Sequence, residues 1–482
     1  MIRMDVRTVA EITGGHLMQN GASVELLGFS TDSRTLQPGD LFIPLRGDNF
    51  DGHDHMAQAI QRGAVACLSE EMIGGLLVPV IKVTDTLKAL GDLAAAVRRQ
   101  FAGPVIGITG TSGKTTCKEM LAAILDDIGP GLKSAGNFNN LIGVPLTLFG
   151  LQPEHRWAVV EMGMSARGEI ARLAEIATPK IGLITNVGAG HLENFDGISG
   201  VARAKGELLI HLPTDGVALI NTDDPEVCML PVANGVRRVL FGTGSDAAIR
   251  ADRISTHNGS VSFDLQIDNA VQRVLLPLPG RHNVANALGA AAVATVLGVG
   301  LKEVVAGLEA FKPCPGRMEL LELPDDIVVL EDSYNANPLS VHAALDALHD
   351  LGSPGRRIAV LADMLELGSS AAELHHQIGT VAAERADWLF TFGPLAAEIA
   401  RGAVEAGLPD DRVFVAQSRD ELVARLLKML QSGDRVLIKG SRGMRMEKVT
   451  DALRKLQQLR ESEQERGSEQ KIAAPMFTAS SN

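Results

Sequence analysis

From Val105 onward, short runs of apolar residues alternate with stretches in which apolar residues return every third or fourth position. "VIGIT" (105–109), "WAVVEMG" (157–163), "IGLITNVG" (181–188) and "GVALINTDD" (216–224) predict buried strands. The stretches between them predict helical crossovers, hence a mostly parallel sheet covered on both faces. Leu121, Ile124, Leu125 and Ile128 share one helix face, and Gly129-Pro130 stops that helix. Near 251–278 the texture turns antiparallel, with Asn258-Gly259 predicting a hairpin between "ADRIST" and "SVSFDLQI". The run Ala287 to Leu301 is too short to span a bilayer and predicts a packed core helix.

After "FKPCPGRME" (311–319) a second series follows: "DIVVLED", "RIAVLAD", "WLFTFG", "RVFVA" and "RVLIKG", each separated by a helical segment. This is a further α/β domain with Rossmann-like rhythm and no G-x-G-x-x-G after a strand. The first 80 or so residues mix short strand-like pieces with turns; Pro38-Gly39-Asp40 marks a turn before a strand at Leu41 to Leu45. A helix from Thr86 to Phe101 then leads to Gly103-Pro104. The predicted division is 1–83, 84–313 and 314–458, with a polar, aperiodic tail at 459–482 that reads as disordered.

At 482 residues the chain is too long for one core, which agrees with several domains. A formal net charge of −13 speaks against a nucleic-acid or anionic-membrane surface, so any phosphate site must be local. The four cysteines, Cys67, Cys117, Cys228 and Cys314, are too scattered for a metal pair and read as free thiols of a cytoplasmic protein. Arg3, Asp5 and Arg7 interrupt the N-terminus, which holds no apolar core of signal-peptide length.

The chemistry concentrates in "GITGTSGKTT" (107–116), a strand leading through a small-residue loop into a helix. Gly110, Thr111, Ser112, Gly113, Lys114, Thr115 and Thr116 would turn backbone N–H groups and one ammonium toward an anion at a helix N-terminus. Thr115 stands where a P-loop hydroxyl meets Mg²⁺. The strict G-x-x-x-x-G-K-[ST] pattern is not met, because position 108 is Ile, and no N-K-x-D motif for guanine occurs. These departures point to an ATPase rather than a GTPase. Glu161 ends the strand "WAVVE" with a carboxylate suited to a hard cation. Taken singly, Glu161, His191 in "NVGAGHLENFDG" and Lys205 in "ARAKGELL" read as ordinary surface or hydrogen-bonding residues.

Together, "GITGTSGKTT", "EMG", "NVGAGHLENFDG" and "AKGE" resemble the Mur ligase family of ATP-dependent amide-bond-forming enzymes of peptidoglycan synthesis. The resemblance spans nearly the whole chain except the polar tail. Its more discriminating pieces are "GNFNNLIGVPLTL", "EMGMSARGEI", "PGRHNVANALGAAA", "EDSYNANPLS" and "DMLELG". A D-N-P-R motif found in the diaminopimelate-adding ligase is absent, and the opening "STDSRTLQPGDLFIPLRGDNFDGH" resembles the later-acting members.

The resemblance implies an N-terminal mixed α/β domain for the UDP end of the substrate, a central P-loop-type ATPase domain and a C-terminal Rossmann-like domain for the incoming amine. It implies an ATP-dependent ligase that joins D-alanyl-D-alanine to UDP-MurNAc-tripeptide through an acyl phosphate. The enzyme would be cytoplasmic, monomeric and neither membrane-inserted nor bound to nucleic acid. Lys114, Glu161, His191 and Lys205 are the implied catalytic set. Two Mg²⁺ ions are implied, one at Thr115 and Glu161, the other at His191 and a carbamylated Lys205.

By the same resemblance Asn283 and Asn286 meet adenine, while Arg317 and Asp332 lie near ribose and phosphates. Ser33, Asn49, Asn139, Asn140 and Arg167 serve the UDP-sugar-peptide; Asn335 and Asn337 lie on the dipeptide side. The alternatives are another ligase of the folylpolyglutamate synthase type and a nonenzymatic nucleotide-dependent regulator.

Overall fold

The structure is a computed structural model that describes residues 4–18, 21–73, 75–352 and 354–455. The tail expected at 459–482 lies outside these residues. Three sheets dominate an α/β architecture. The first, of five strands, runs His16–Leu17, Val80–Lys82, Ala66–Ser69, Asp40–Phe42, Gly28–Ser30, and is parallel except at His16–Leu17. The strand expected at Leu41 to Leu45 begins one residue earlier and stops at Phe42, where its pairing to Gly28–Ser30 ends.

The nine-stranded central sheet is parallel from Leu132–Lys133 through Ala158–Glu161, Val105–Thr109, Ile181–Ile184, Val217–Asn221 and Arg237–Gly242 to Ile249–His257. It ends in antiparallel Ser260–Ile267 and Ala270–Leu276, with the Asn258-Gly259 turn where the hairpin was expected. Alternate residues of one strand serve two cores. Ile106 and Ile108 pack in the cluster of Leu121, Ile124 and Leu288, whereas Val105 packs with Val160, Leu173 and Leu208 on the other face. This double burial is why the strands read as unbroken apolar runs.

The helix Lys114–Leu125 lies against His282–Val296 on the first face. The single helix expected over 287–301 is instead two. The chain leaves the helical conformation at Gly298, with φ of +86°, and restarts at Leu301–Ala310. An Ala- and Gly-rich run gives no polar break to mark that turn. The helix Thr86–Arg99 buries Leu90 and Leu93 in the N-terminal core and Ala94 in the central one.

The C-terminal sheet has the order Glu319–Leu323, Ile327–Asp332, Arg435–Lys439, Arg357–Ala362, Trp388–Phe392, Val413–Ala416, parallel after its first pair. Phe311 and Met318 of the connecting segment belong to the same apolar cluster as the first face of the central sheet and as Val341, Ala344 and Leu345. The C-terminal strand ends and the phosphate-type loop therefore face one another across a shared core. Among the described residues no helix is long and apolar enough to cross a membrane.

Candidate active site

The loop after Val105–Thr109 is strapped to the neighbouring strand end. Asn186 accepts from the Ser112 N–H at 2.9 Å and donates to the Ser112 carbonyl at 3.1 Å, while the Thr185 hydroxyl donates to that carbonyl at 2.6 Å. Two glycines permit this closeness. Gly110 (φ +151°) and Gly113 (φ +81°) adopt angles that L side chains avoid, and a Cβ on either would collide with Thr185 or Asn286 respectively. Gly113 starts the helix Lys114–Leu125 with no side-chain cap, so its first N–H groups are available to an anionic ligand.

Positive charge gathers at one carbonyl. Lys114 Nζ donates to the Gly110 carbonyl at 2.7 Å, and Lys205 Nζ reaches the same carbonyl at 3.0 Å. Burial holds the Lys114 ammonium below the usual lysine range, with Arg317 adding to the effect and Glu161 opposing it. Burial, and then the Lys114 charge, push Lys205 well below that range. An anionic ligand would relieve both effects.

Glu161, almost wholly buried, accepts from the Thr115 hydroxyl at 2.8 Å and from Asn139 Nδ2 at 2.9 Å. Lys118, an internal lysine that the motif reading missed, bonds to the Ser134 carbonyl at 2.6 Å and lies 3.9 Å from Glu161. The hydroxyl and carboxylate supply hard oxygen donors beside the uncapped helix end, which fits Mg²⁺ completed by phosphate and water oxygens. His191 lies within the field of Lys114 and Lys205, and its Nδ1 pairs with Glu366 of the C-terminal sheet domain at 2.5 Å. Burial lowers the His191 pKa, against the pull of Glu366.

A cleft of about 780 Å³ brings most of the expected residues together: Thr111 to Thr116, Asn139, Asn140, Glu161, His191, Lys205, Asn283, Asn286, Arg317, Asp332, Asn335 and Asn337. That volume suits a nucleotide with part of a second ligand. Gly110 stands just behind the lining through its carbonyl. Asn283 donates to the Pro279 carbonyl at 2.7 Å and accepts from Asn286 at 2.9 Å, so the two amides form one unit. Asp332 pairs with Lys439, whose ammonium also reaches the Asn335 carbonyl at 2.9 Å. Asn337 caps the helix Pro338–Asp350 through Ser340 N–H at 2.9 Å and meets the Ser112 hydroxyl at 3.1 Å.

Besides Gly110, three expected residues stand outside that lining. Ser33 is buried and donates to Gln58 at 2.8 Å. Asn49 is exposed in the turn between Arg46–Gly47 and Phe50–Asp51, and Arg167 is exposed ahead of the helix Glu169–Ala177. Besides Lys118, sequence reasoning missed Asn186, Glu366, Tyr334, Lys439 and Arg442. Asn186 and Glu366 stood inside "NVGAGHLENFDG" and "DMLELG" but were not singled out.

Three family models match the chain: "Mur ligase family, catalytic domain" over 26–98, "Mur ligase middle domain" over 108–294 and "Mur ligase, glutamate ligase domain" over 316–442. The chain is 39% identical over 457 residues to UDP-N-acetylmuramoyl-tripeptide–D-alanyl-D-alanine ligase of Escherichia coli (strain K12), covering 94% of this chain and 99% of that protein. A crystal structure of MurF from Acinetobacter baumannii superposes with a TM-score of 0.87 at 33% identity, covering 94% of this chain and 99% of that one. MurF ligase from Thermotoga maritima in complex with ADP superposes with a TM-score of 0.81 at 27% identity, covering 90% and 98%.

Proposed function

The chain belongs to the Mur ligase family, and we propose that it joins D-alanyl-D-alanine to UDP-MurNAc-tripeptide at the expense of ATP, giving UDP-MurNAc-pentapeptide, ADP and phosphate. The observation that carries this reading is the single cleft in which the loop of Lys114 and the Thr115–Glu161 pair face the C-terminal strand ends. A ligase needs a phosphoryl donor and an amine acceptor within reach of one carboxylate. The division into 1–83, 84–313 and 314–458 assigns the muramyl nucleotide, ATP and the dipeptide to successive domains. The place of work is the cytoplasm, where ATP and UDP-linked precursors are found, and the protein acts as a monomer.

A carboxylate is a poor acyl donor because oxide would have to leave. Transfer of the γ-phosphoryl group to the tripeptide carboxylate forms a C–O–P linkage and releases ADP. The neutral amine of the dipeptide then attacks the acyl carbon, phosphate departs with the C–O electron pair, and the amine loses its proton. Lys114 and the uncapped N–H groups hold the phosphates and offset the charge that builds up as one anion approaches another. Thr115 and Glu161 would hold Mg²⁺, which when bound supplies further charge neutralisation at the phosphate oxygens.

Asn283 and Asn286 orient the base, Arg317 and Asp332 the ribose and phosphates. Asn139 and Asn140 meet the muramyl-peptide substrate at the cleft, with Ser33, Asn49 and Arg167 serving it beyond that lining. Asn335 and Asn337 stand on the dipeptide side.

Lys205 as an ammonium cannot ligate a cation. Its depressed pKa favours the neutral amine, whose nitrogen can add to CO₂ and lose a proton to give a carbamate. That carboxylate-like group, with His191, would hold a second Mg²⁺. If Lys205→Ala keeps full activity and bicarbonate changes nothing, the carbamate is excluded.

The decisive assay measures phosphate release and product mass with ATP, D-alanyl-D-alanine and either UDP-MurNAc-tripeptide, with diaminopimelate or lysine as third residue. Release that depends on both substrates, with a pentapeptide product, is expected. ATP turnover independent of the dipeptide would overturn the proposal.

A further inference from the structure

We infer that Arg442 binds the terminal carboxylate of the incoming dipeptide and so selects an acceptor whose far end is an anion; this rests on the ligase reading above. Arg442 follows the strand Arg435–Lys439, which lies inside the sheet between Ile327–Asp332 and Arg357–Ala362. In such sheets ligands lie off the C-terminal strand ends, and Arg442 lines the cleft there.

The residue just before it is held firmly. The Ser441 N–H donates to the Asp363 carbonyl at 3.1 Å, the Ser441 hydroxyl donates to the Ala336 carbonyl at 3.2 Å, and that hydroxyl accepts from Leu365 N–H at 2.9 Å. The Arg442 side chain, by contrast, is exposed and makes no hydrogen bond or ion pair with the described residues. The other cleft cations are differently placed. Lys114 and Lys205 share the Gly110 carbonyl, and Lys439 is committed to Asp332.

Arg317 and Arg442 both sit over the Tyr334 ring, 4.0 Å and 5.4 Å from its centroid. The ring attracts and orients each guanidinium, and two cations gathered on one side chain favour anionic ligands. Arg317 raises the positive field at Lys114, which assigns it to the phosphate side; Arg442 instead follows the end of the strand Arg435–Lys439 in the C-terminal sheet. A second anion is therefore wanted at a distance from the phosphates. The acceptor carries one: in an extended dipeptide the carboxylate lies roughly 7 Å from the attacking amine. A planar guanidinium fork on a fixed loop matches that group in two parallel hydrogen bonds.

The test compares D-alanyl-D-alanine with its C-terminal amide as acceptors for the full chain, alongside Arg442→Ala and Arg442→Lys. The unsubstituted protein is expected to show a KM about ten- to a hundredfold higher for the amide. Arg442→Ala should raise the KM for the dipeptide by a similar factor and leave the KM values for the amide and for ATP unchanged, so that preference vanishes. Arg442→Lys should keep part of the preference, since it retains charge without the fork. Arg442→Ala that still prefers the dipeptide, or weakens both acceptors equally, overturns the inference while the ligase reading stands. If the unsubstituted protein uses neither acceptor, the ligase reading itself falls.

Discussion

Lys118 has no exposed surface, yet it keeps its ammonium among the Ser134 carbonyl, Glu119 at 3.1 Å and Glu161. Replacing it with methionine preserves length and leaves the Ser134 carbonyl unpaired, so Lys118→Met is expected to cost about 1–3 kcal/mol, measured by denaturant unfolding. Burial pushes the Cys67 and Cys117 thiols up to about 12 from an ordinary 9. A thiol kept neutral in the fold but free to ionise when unfolded leaves stability intact below pH 9. Stability then falls as pH rises from 9 toward 12, by about 1.4 kcal/mol per pH unit for each thiol. Melting temperatures between pH 8 and 10.5 should show this decline, and Cys67→Ala with Cys117→Ala should flatten it. At this scale, residues inside short local motifs could be read in the sequence: Lys114, Thr115, Glu161 and Lys205 all reach the cleft. Lys118 and Arg442 could not, because their meaning comes from partners 16 to 108 positions away, Ser134 for one and Tyr334 for the other.

The phosphate-type loop and the helix that faces it each depend on one backbone requirement. Gly113→Ala would force a side chain into a left-handed angle and against Asn286, so nucleotide affinity should fall at least about tenfold in a calorimetric titration with ADP. Asn337 has two tasks that substitution can separate. Asn337→Ala removes the capping acceptor of Pro338–Asp350 and should destabilise by about 1 kcal/mol in an unfolding titration. Asn337→Asp keeps the cap but sets a carboxylate against the Ser112 hydroxyl and the phosphate site, so stability should hold while turnover drops. Element existence followed from periodicity, as the hairpin at Asn258-Gly259 illustrates. Element ends did so less well, because hydrogen-bond pairing stops the strand at Phe42 and a backbone turn at Gly298 divides an uninterrupted apolar run.

At the level of the whole molecule, the contacts of the C-terminal domain with the central one around the cleft include two polar ones. Asn337 touches Ser112, and the loop of Glu366 receives both His191 and the N–H of Glu193 at 3.3 Å. His191 and Glu366 each hold left-handed backbone angles, φ of +57° and +65°, which the contact helps to sustain. Glu366→Lys reverses one charge of this clasp without touching a core. Small-angle scattering should then give a larger radius of gyration, and kcat should fall while ADP affinity is retained. No such contact can be foreseen from periodicity, because it joins loops whose separation in sequence carries no pattern. The Lys114 ammonium, held at the Gly110 carbonyl ahead of an uncapped helix end, has a practical bearing on inhibitor design. An uncharged compound filling the cleft would leave that charge unanswered, so effective blockers should carry an acidic warhead placed beside Lys114 and the first N–H groups of its helix.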